Sequence, residues 1–63
     1  MRDPKRIEET LSVLRKIWYS NPDLRLGQII VNAETYAPGL VDLFYMEDDL
    51  LLSGLKTLLK KGA

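Results

Sequence analysis

The chain has 63 residues, nine basic and nine acidic side chains, and neither cysteine nor histidine. This length leaves room for one hydrophobic core, and the lack of cysteine excludes disulfides and thiolate metal sites and favours the reducing cytoplasm. Without histidine the commonest general base and metal ligand is missing, and zero net charge gives a polyanion no attraction. We therefore predict a single domain over residues 1–63 that is not an enzyme, holds no cofactor or metal and does not enter a membrane.

The first predicted element is an amphipathic helix over residues 4–20. Asp3-Pro4 is a typical helix start, because aspartate accepts hydrogen bonds from first-turn amides and proline fits the first helical position. One arc of this helix is apolar and is expected to face the core; it consists of Ile7, Leu11, Leu14, Ile17 and Trp18. Asn21-Pro22-Asp23 ends the helix, because the residue before proline is disfavoured in the α region.

A second helix is predicted over residues 25–35. Its apolar side chains follow the i, i+3, i+4, i+7 spacing of a helix face and are Leu26, Ile29, Ile30 and Ala33. Residues 29–31 also suit a buried strand, but no partner strand of comparable strength exists elsewhere in the chain, so we favour the helix.

Gly27 is unusual inside a helix, where glycine costs about 1 kcal/mol relative to alanine. We favour an explanation from packing, in which another helix or the Trp18 ring approaches this position closely. The alternative is a smooth contact surface shared with Val31, which lies one turn further on.

The connection after the second helix is too apolar for a solvated loop. Ala37-Pro38-Gly39 breaks the helix, and residues 40–46 are then expected to form an extended or single-turn stretch packed over the two helices. Either Leu43 and Tyr45 or Phe44 and Met46 would point into the core.

A third helix is predicted over residues 48–61. Carboxylates cluster where it starts, lysines lie towards its other end, and Gly62 follows, as the helix dipole and the usual C-terminal cap favour. Its wide apolar arc consists of Leu51, Leu52, Leu55, Leu58 and Leu59. The predicted fold is therefore all-α, a small three-helix domain with a packed extended connector between helices 2 and 3.

Two runs of residues carry a resemblance to a known family. The first is Trp18 followed by Asn21-Pro22-Asp23-Leu24-Arg25-Leu26-Gly27-Gln28-Ile29-Ile30, and the second is Asp42-Leu43-Phe44-Tyr45 with the acidic start of the last helix. The pattern resembles that of the short YihD-like proteins of bacteria, whose function is uncharacterised. The resemblance implies a compact helical fold and a bacterial or phage origin, and it brings no catalytic motif.

Surplus apolar residues carry the functional hypothesis. Val31 and Leu50 lie outside the apolar arcs of their helices, and the candidate protein interface consists of Val31, Leu50, Tyr19, Tyr36 and Gly27. A small uncharged domain with such a surplus is expected to bury it against another chain. We predict a non-enzymatic interaction module, homodimeric or binding an unidentified protein through helices 2 and 3. One form of it would be a phage-encoded inhibitor of a bacterial defence system.

Two other sites are weaker. Arg6, Arg15 and Lys16 on the first helix could contact phosphates in a nucleic-acid-associated regulator, but acidic residues lie among them. An acidic group could hold a hard cation; it consists of Asp42, Glu47, Asp48 and Asp49. It lacks the spacing and pivoting glycine of a calcium loop, and helix capping already explains most of it.

Overall fold

The computed structural model describes residues 3–39 and 41–62, and it contains three α-helices. Their bounds are Lys5–Ser20 (α1), Leu26–Tyr36 (α2) and Asp48–Lys61 (α3), with one 3-10 turn at Leu43–Tyr45. The predicted all-α, three-helix fold is confirmed. Residues 29–31 are helical, so the strand alternative is wrong. Leu40, part of the predicted connector, lies outside the described residues.

The helix ends follow from local hydrogen bonds. The Lys5 amide donates to Asp3 Oδ1 at 2.9 Å, and the Arg25 amide donates to Gln28 Oε1 at 2.8 Å. Both bonds satisfy backbone donors that a helix N-terminus leaves without an internal partner. At the last C-terminus Gly62 has a φ of 80° and donates its amide to the Leu58 carbonyl, which is the left-handed cap that glycine favours.

The core lies mainly between α2 and α3. Its buried side chains are Val13 and Ile17 of α1, Ile29 and Ala33 of α2, and Leu52, Leu55 and Leu58 of α3. Leu14, Leu24, Leu51 and Leu59 are half-buried against them. The predicted α3 arc is confirmed by this set, as is most of the α2 arc. Leu26 is the exception, because it is exposed at the first position of α2.

α3 approaches α2 closely at Gly54. A Cβ atom at Gly54 would overlap the Ala33 carbonyl oxygen and lie 3.1 Å from the Ala37 backbone nitrogen. Only a residue without a side chain therefore fits between α3 and the last turns of α2. Gly27, by contrast, has no atom within 4 Å of an added Cβ, so its predicted role in helix packing is wrong.

α1 is rotated relative to the prediction. Val13 and Ile17 enter the core, whereas Ile7, Leu11 and Trp18 are exposed. The physical reason is apolar packing, because Val13 and Ile17 complete the buried cluster formed with α2 and α3. Two exposed ion pairs also connect α1 to α3. These are Arg6 Nε to Asp48 Oδ2 at 2.8 Å and Lys56 Nζ to Glu9 Oε2 at 3.1 Å. The apolar stripe of α1 consequently lies beside the core rather than over it.

The connector does not pack as predicted. Phe44 is 88% exposed and Tyr45 71% exposed, and neither Leu43 nor Val41 is buried. Only Met46 is half-buried among the alternating candidates. The reason is that α2 and α3 close directly on each other at Gly54, so no open side remains between them for a third layer. The connector only links their ends.

Candidate protein interface

One side of α1 carries apolar side chains that the domain covers only in part. We call Ile7, Leu11, Leu14 and Trp18 the α1 face. Leu14 is half-buried and the other three are exposed, with Leu11 at 52%. Their spacing of four, three and four residues is that of the a and d positions of a coiled coil. The α1 face is thus an unpaired helix seam on the surface of the domain.

Trp18 is held in place by its own polar atom. The indole Nε1 donates to the Leu24 carbonyl oxygen at 2.9 Å, across the corner between α1 and α2. Asn21 braces the same corner, because its Nδ2 donates to the Ile17 carbonyl oxygen at 3.0 Å. The only polar group of the indole is therefore satisfied within the chain, while 38% of the Trp18 surface stays exposed. A partner could therefore cover the Trp18 ring without leaving the indole N–H unbonded.

An open groove lies along this end of α1. It is lined by Leu11, Leu14, Arg15, Trp18, Tyr19 and Pro22. Four of these residues are spaced i, i+3, i+4 and i+7, which is the arrangement of a hole that receives a side chain from a facing helix. Arg15 is the one charged group in the lining. A second, smaller depression continues towards the N-terminus of α1 and is lined by Arg6, Ile7, Thr10, Leu11 and Asp48.

The five predicted interface residues do not form one surface. Val31 is 58% exposed and lies with exposed Gly27 on the outer side of α2. Tyr36 lies below the Lys61 ammonium, 5.5 Å from its ring centroid, at the other end of that helix.

Leu50 is half-buried in the first turn of α3, so its predicted exposure is only partial. Of the five predicted residues, Tyr19 alone lines the groove on α1.

The three predicted phosphate contacts are also separated. Arg6 is paired with Asp48, and since its N–H does not point at the carboxylate the contact is ionic rather than a hydrogen bond. Arg15 lines the groove, and Lys16 is exposed elsewhere on α1. The geometry thus provides no common site at which all three could hold one phosphate.

The acidic residues are used at the start of α3. Asp48 and Asp49 occupy its first turn, where carboxylates favourably oppose the helix dipole. Within residues 3–39 and 41–62, no three acidic residues come together in a way that could hold a metal ion. Over the same ranges, no helix combines the length and apolar character needed to cross a membrane.

Comparison with known proteins adds no relative to this description. No family model, no curated protein and no solved structure matches the chain. The resemblance to the YihD-like proteins therefore stays a prediction. The fold and the site therefore define only the class of protein, which is a small three-helix domain with a partly exposed apolar face on its first helix.

Proposed function

We propose that this protein is a non-enzymatic protein interaction module that binds its partner through the α1 face. The observation that carries the proposal is Trp18, whose indole N–H is already bonded to Leu24 while its ring borders an apolar groove. Tryptophan is the residue type most enriched among those that dominate binding energy at protein interfaces. Here it is fixed before any partner arrives.

This fixed ring lowers the cost of binding. An interface side chain that must be ordered on association loses about 0.5–1.5 kcal/mol of favourable free energy. Trp18 avoids part of that loss, because its hydrogen bond and the braced corner restrict the ring in the free protein. Leu11 and Ile7 extend the apolar area along the same helix, and Arg15 places a charge at its edge. An apolar centre with a charged rim is typical of protein interfaces.

The test compares two charge insertions at equally exposed apolar positions. Leu11→Glu places a carboxylate in the middle of the α1 face, and Val31→Glu places one on the outer side of α2. Both variants and the parent chain are immobilised and exposed to lysate of the native host, which contains untagged copies of the protein. Circular dichroism confirms that all three have the same helix content.

We expect the parent chain and Val31→Glu to retain the same bound proteins and Leu11→Glu to lose them. Loss from Val31→Glu with retention by Leu11→Glu would move the interface to the Val31 side of α2. Equal retention by all three variants would contradict a binding role for the α1 face, as would no retained protein together with a chain that stays monomeric in sedimentation equilibrium.

A further inference from the structure

We propose that the partner of the α1 face is the α1 face of a second copy of this chain, with the two helices antiparallel about a two-fold axis. The proposal rests on the proposed function and specifies its partner. It draws on the spacing of the apolar residues, the shape of the groove and the charges at its rim.

The spacing of the α1 face reads the same in both directions. The intervals from Ile7 to Leu11, Leu14 and Trp18 are four, three and four residues, so the midpoint of the seam lies between Leu11 and Leu14. An antiparallel two-fold through this midpoint places Ile7 opposite Trp18 and Leu11 opposite Leu14 of the second copy. Pairing of an a with a d position in each layer is what an antiparallel helix pair requires. A seam with unequal intervals at its two ends would not match itself.

The surface of α1 already contains the holes that this pairing needs. In the antiparallel register, Leu11 of the second copy faces the space between positions 11, 14, 15 and 18, which is the observed groove. Leu14 of the second copy faces positions 7, 10, 11 and 14, and the first three of these line the second depression. Each knob therefore meets a concavity rather than a ridge.

The same two-fold symmetry brings opposite charges together at the rim of the groove. In the α1 face, Ile7 and Leu14 occupy d positions. Glu8 and Arg15 follow them directly in the sequence and are both exposed. In an antiparallel pair, residues at this rim position face their equivalents on the other helix, so Glu8 meets Arg15 of the second copy twice. On the opposite rim, Thr10 is half-buried and Ile17 is buried in the core of the domain.

The size of the seam sets the strength of the dimer. From Ile7 to Trp18 the helix advances about 16 Å, and four partly covered side chains with their rim bring roughly 500 Å² per copy. That is near the lower limit of about 1,000 Å² in total for a specific interface. We therefore expect a reversible dimer with a dissociation constant in the micromolar to submillimolar range.

The first test exchanges the rim charges. Sedimentation equilibrium is measured between about 10 µM and 1 mM, a range chosen for the expected affinity. Glu8→Arg alone and Arg15→Glu alone each replace two attractive pairs by two repulsive ones and should weaken the dimer about tenfold. The double variant E8R/R15E restores opposite charges across the axis and should regain the parental dissociation constant within about threefold.

The second test uses the absence of cysteine from the native chain. Glu8→Cys and Arg15→Cys chains are mixed and oxidised. In the proposed register, position 8 of one copy and position 15 of the other lie about 3 Å apart along the helix axis. The two copies of position 8 lie about 13 Å apart. We expect the mixed disulfide to dominate and the self-disulfide of the Glu8→Cys chain to be nearly absent.

The outcomes separate this proposal from the proposed function. A dimer that ignores the charge exchange, or crosslinks formed equally by all pairs, would overturn the antiparallel α1 pairing. So would a chain that stays monomeric at 1 mM while Leu11→Glu still abolishes capture of a different protein, which would leave the α1 face as an interface for another partner. Monomeric behaviour together with capture that Leu11→Glu does not alter would overturn both.

Discussion

Replacing Gly54 by alanine is the most direct test of how the core is built. Gly54→Ala adds one methyl group at the crossing of α2 and α3. That methyl would overlap the carbonyl oxygen of Ala33 and come within 3.1 Å of the backbone nitrogen of Ala37. Both obstacles are main-chain atoms, so no side-chain rotation relieves the overlap, and the two helices must move apart.

The expected cost follows from two opposing effects. Overpacking a core costs about 1–3 kcal/mol, and a collision with backbone belongs at the upper end of that range. Alanine returns about 1 kcal/mol through its higher helix propensity. The net loss is therefore about 2 kcal/mol. A domain of this length has a total stability of roughly 3–9 kcal/mol, so this is a large fraction of it. With the unfolding entropy expected for a chain of this size, the loss should lower Tm by about 15 °C.

Gly27→Ala is the matched control. It makes the same chemical change in α2, where a Cβ atom has no neighbour within 4 Å and φ is not positive. We expect its free energy of unfolding to stay the same or rise by up to about 1 kcal/mol. Urea unfolding followed by circular dichroism measures both variants, and Gly54→Ala should lower the midpoint by about 2 M for a chain of this size. A Gly54→Ala protein as stable as Gly27→Ala would refute the close packing of α2 on α3.

Four further changes test the surface and the core separately. Trp18→Phe removes the indole hydrogen bond and should cost about 1 kcal/mol in urea unfolding, and a cost of zero would contradict the fixed ring. Glu9→Gln breaks an exposed ion pair and should change stability by less than about 0.5 kcal/mol, so a larger loss would show that the pair anchors α1. Phe44→Ser should be similarly neutral because its ring is exposed, whereas Leu55→Ala should cost about 2–5 kcal/mol in thermal unfolding. Comparable losses for these last two would place the connector in the core.

The sequence predicted the elements better than their orientation. Helix ends followed from strong local signals such as Asp3-Pro4 and Gly62, which act within one turn of the chain. The predicted α1 arc was right for Ile17 and partly right for Leu14, but it omitted Val13 and included Ile7, Leu11 and Trp18, which are exposed. Apolar residues lie on more than one side of α1, and only tertiary contacts decide which of them are buried. The α3 side chains that pack with Val13 and Ile17 lie far from them in the sequence.

The two helical glycines show where a better prediction was possible. Gly54 lies three residues after Leu51 and four before Leu58, at the edge of the apolar arc of α3, so a close approach there could have been inferred from periodicity. Gly27 lies off the main apolar line of α2, and the structure leaves it exposed. The predicted burial of the connector was wrong for a different reason. Its apolar composition indicated burial, but burial depends on whether space remains between helices, which no local pattern records.

The uneven contribution of the helices to the core has a consequence for dynamics. α1 supplies only Val13 and Ile17 to the buried cluster, whereas α2 and α3 are locked at Gly54. Partial opening should therefore begin with α1 leaving an intact pair of helices, and α1 amides should exchange with solvent before those of α3. A partner that binds the α1 face stabilises only the form in which α1 is packed on the other two helices. Binding should therefore slow the exchange of α1 amides with solvent.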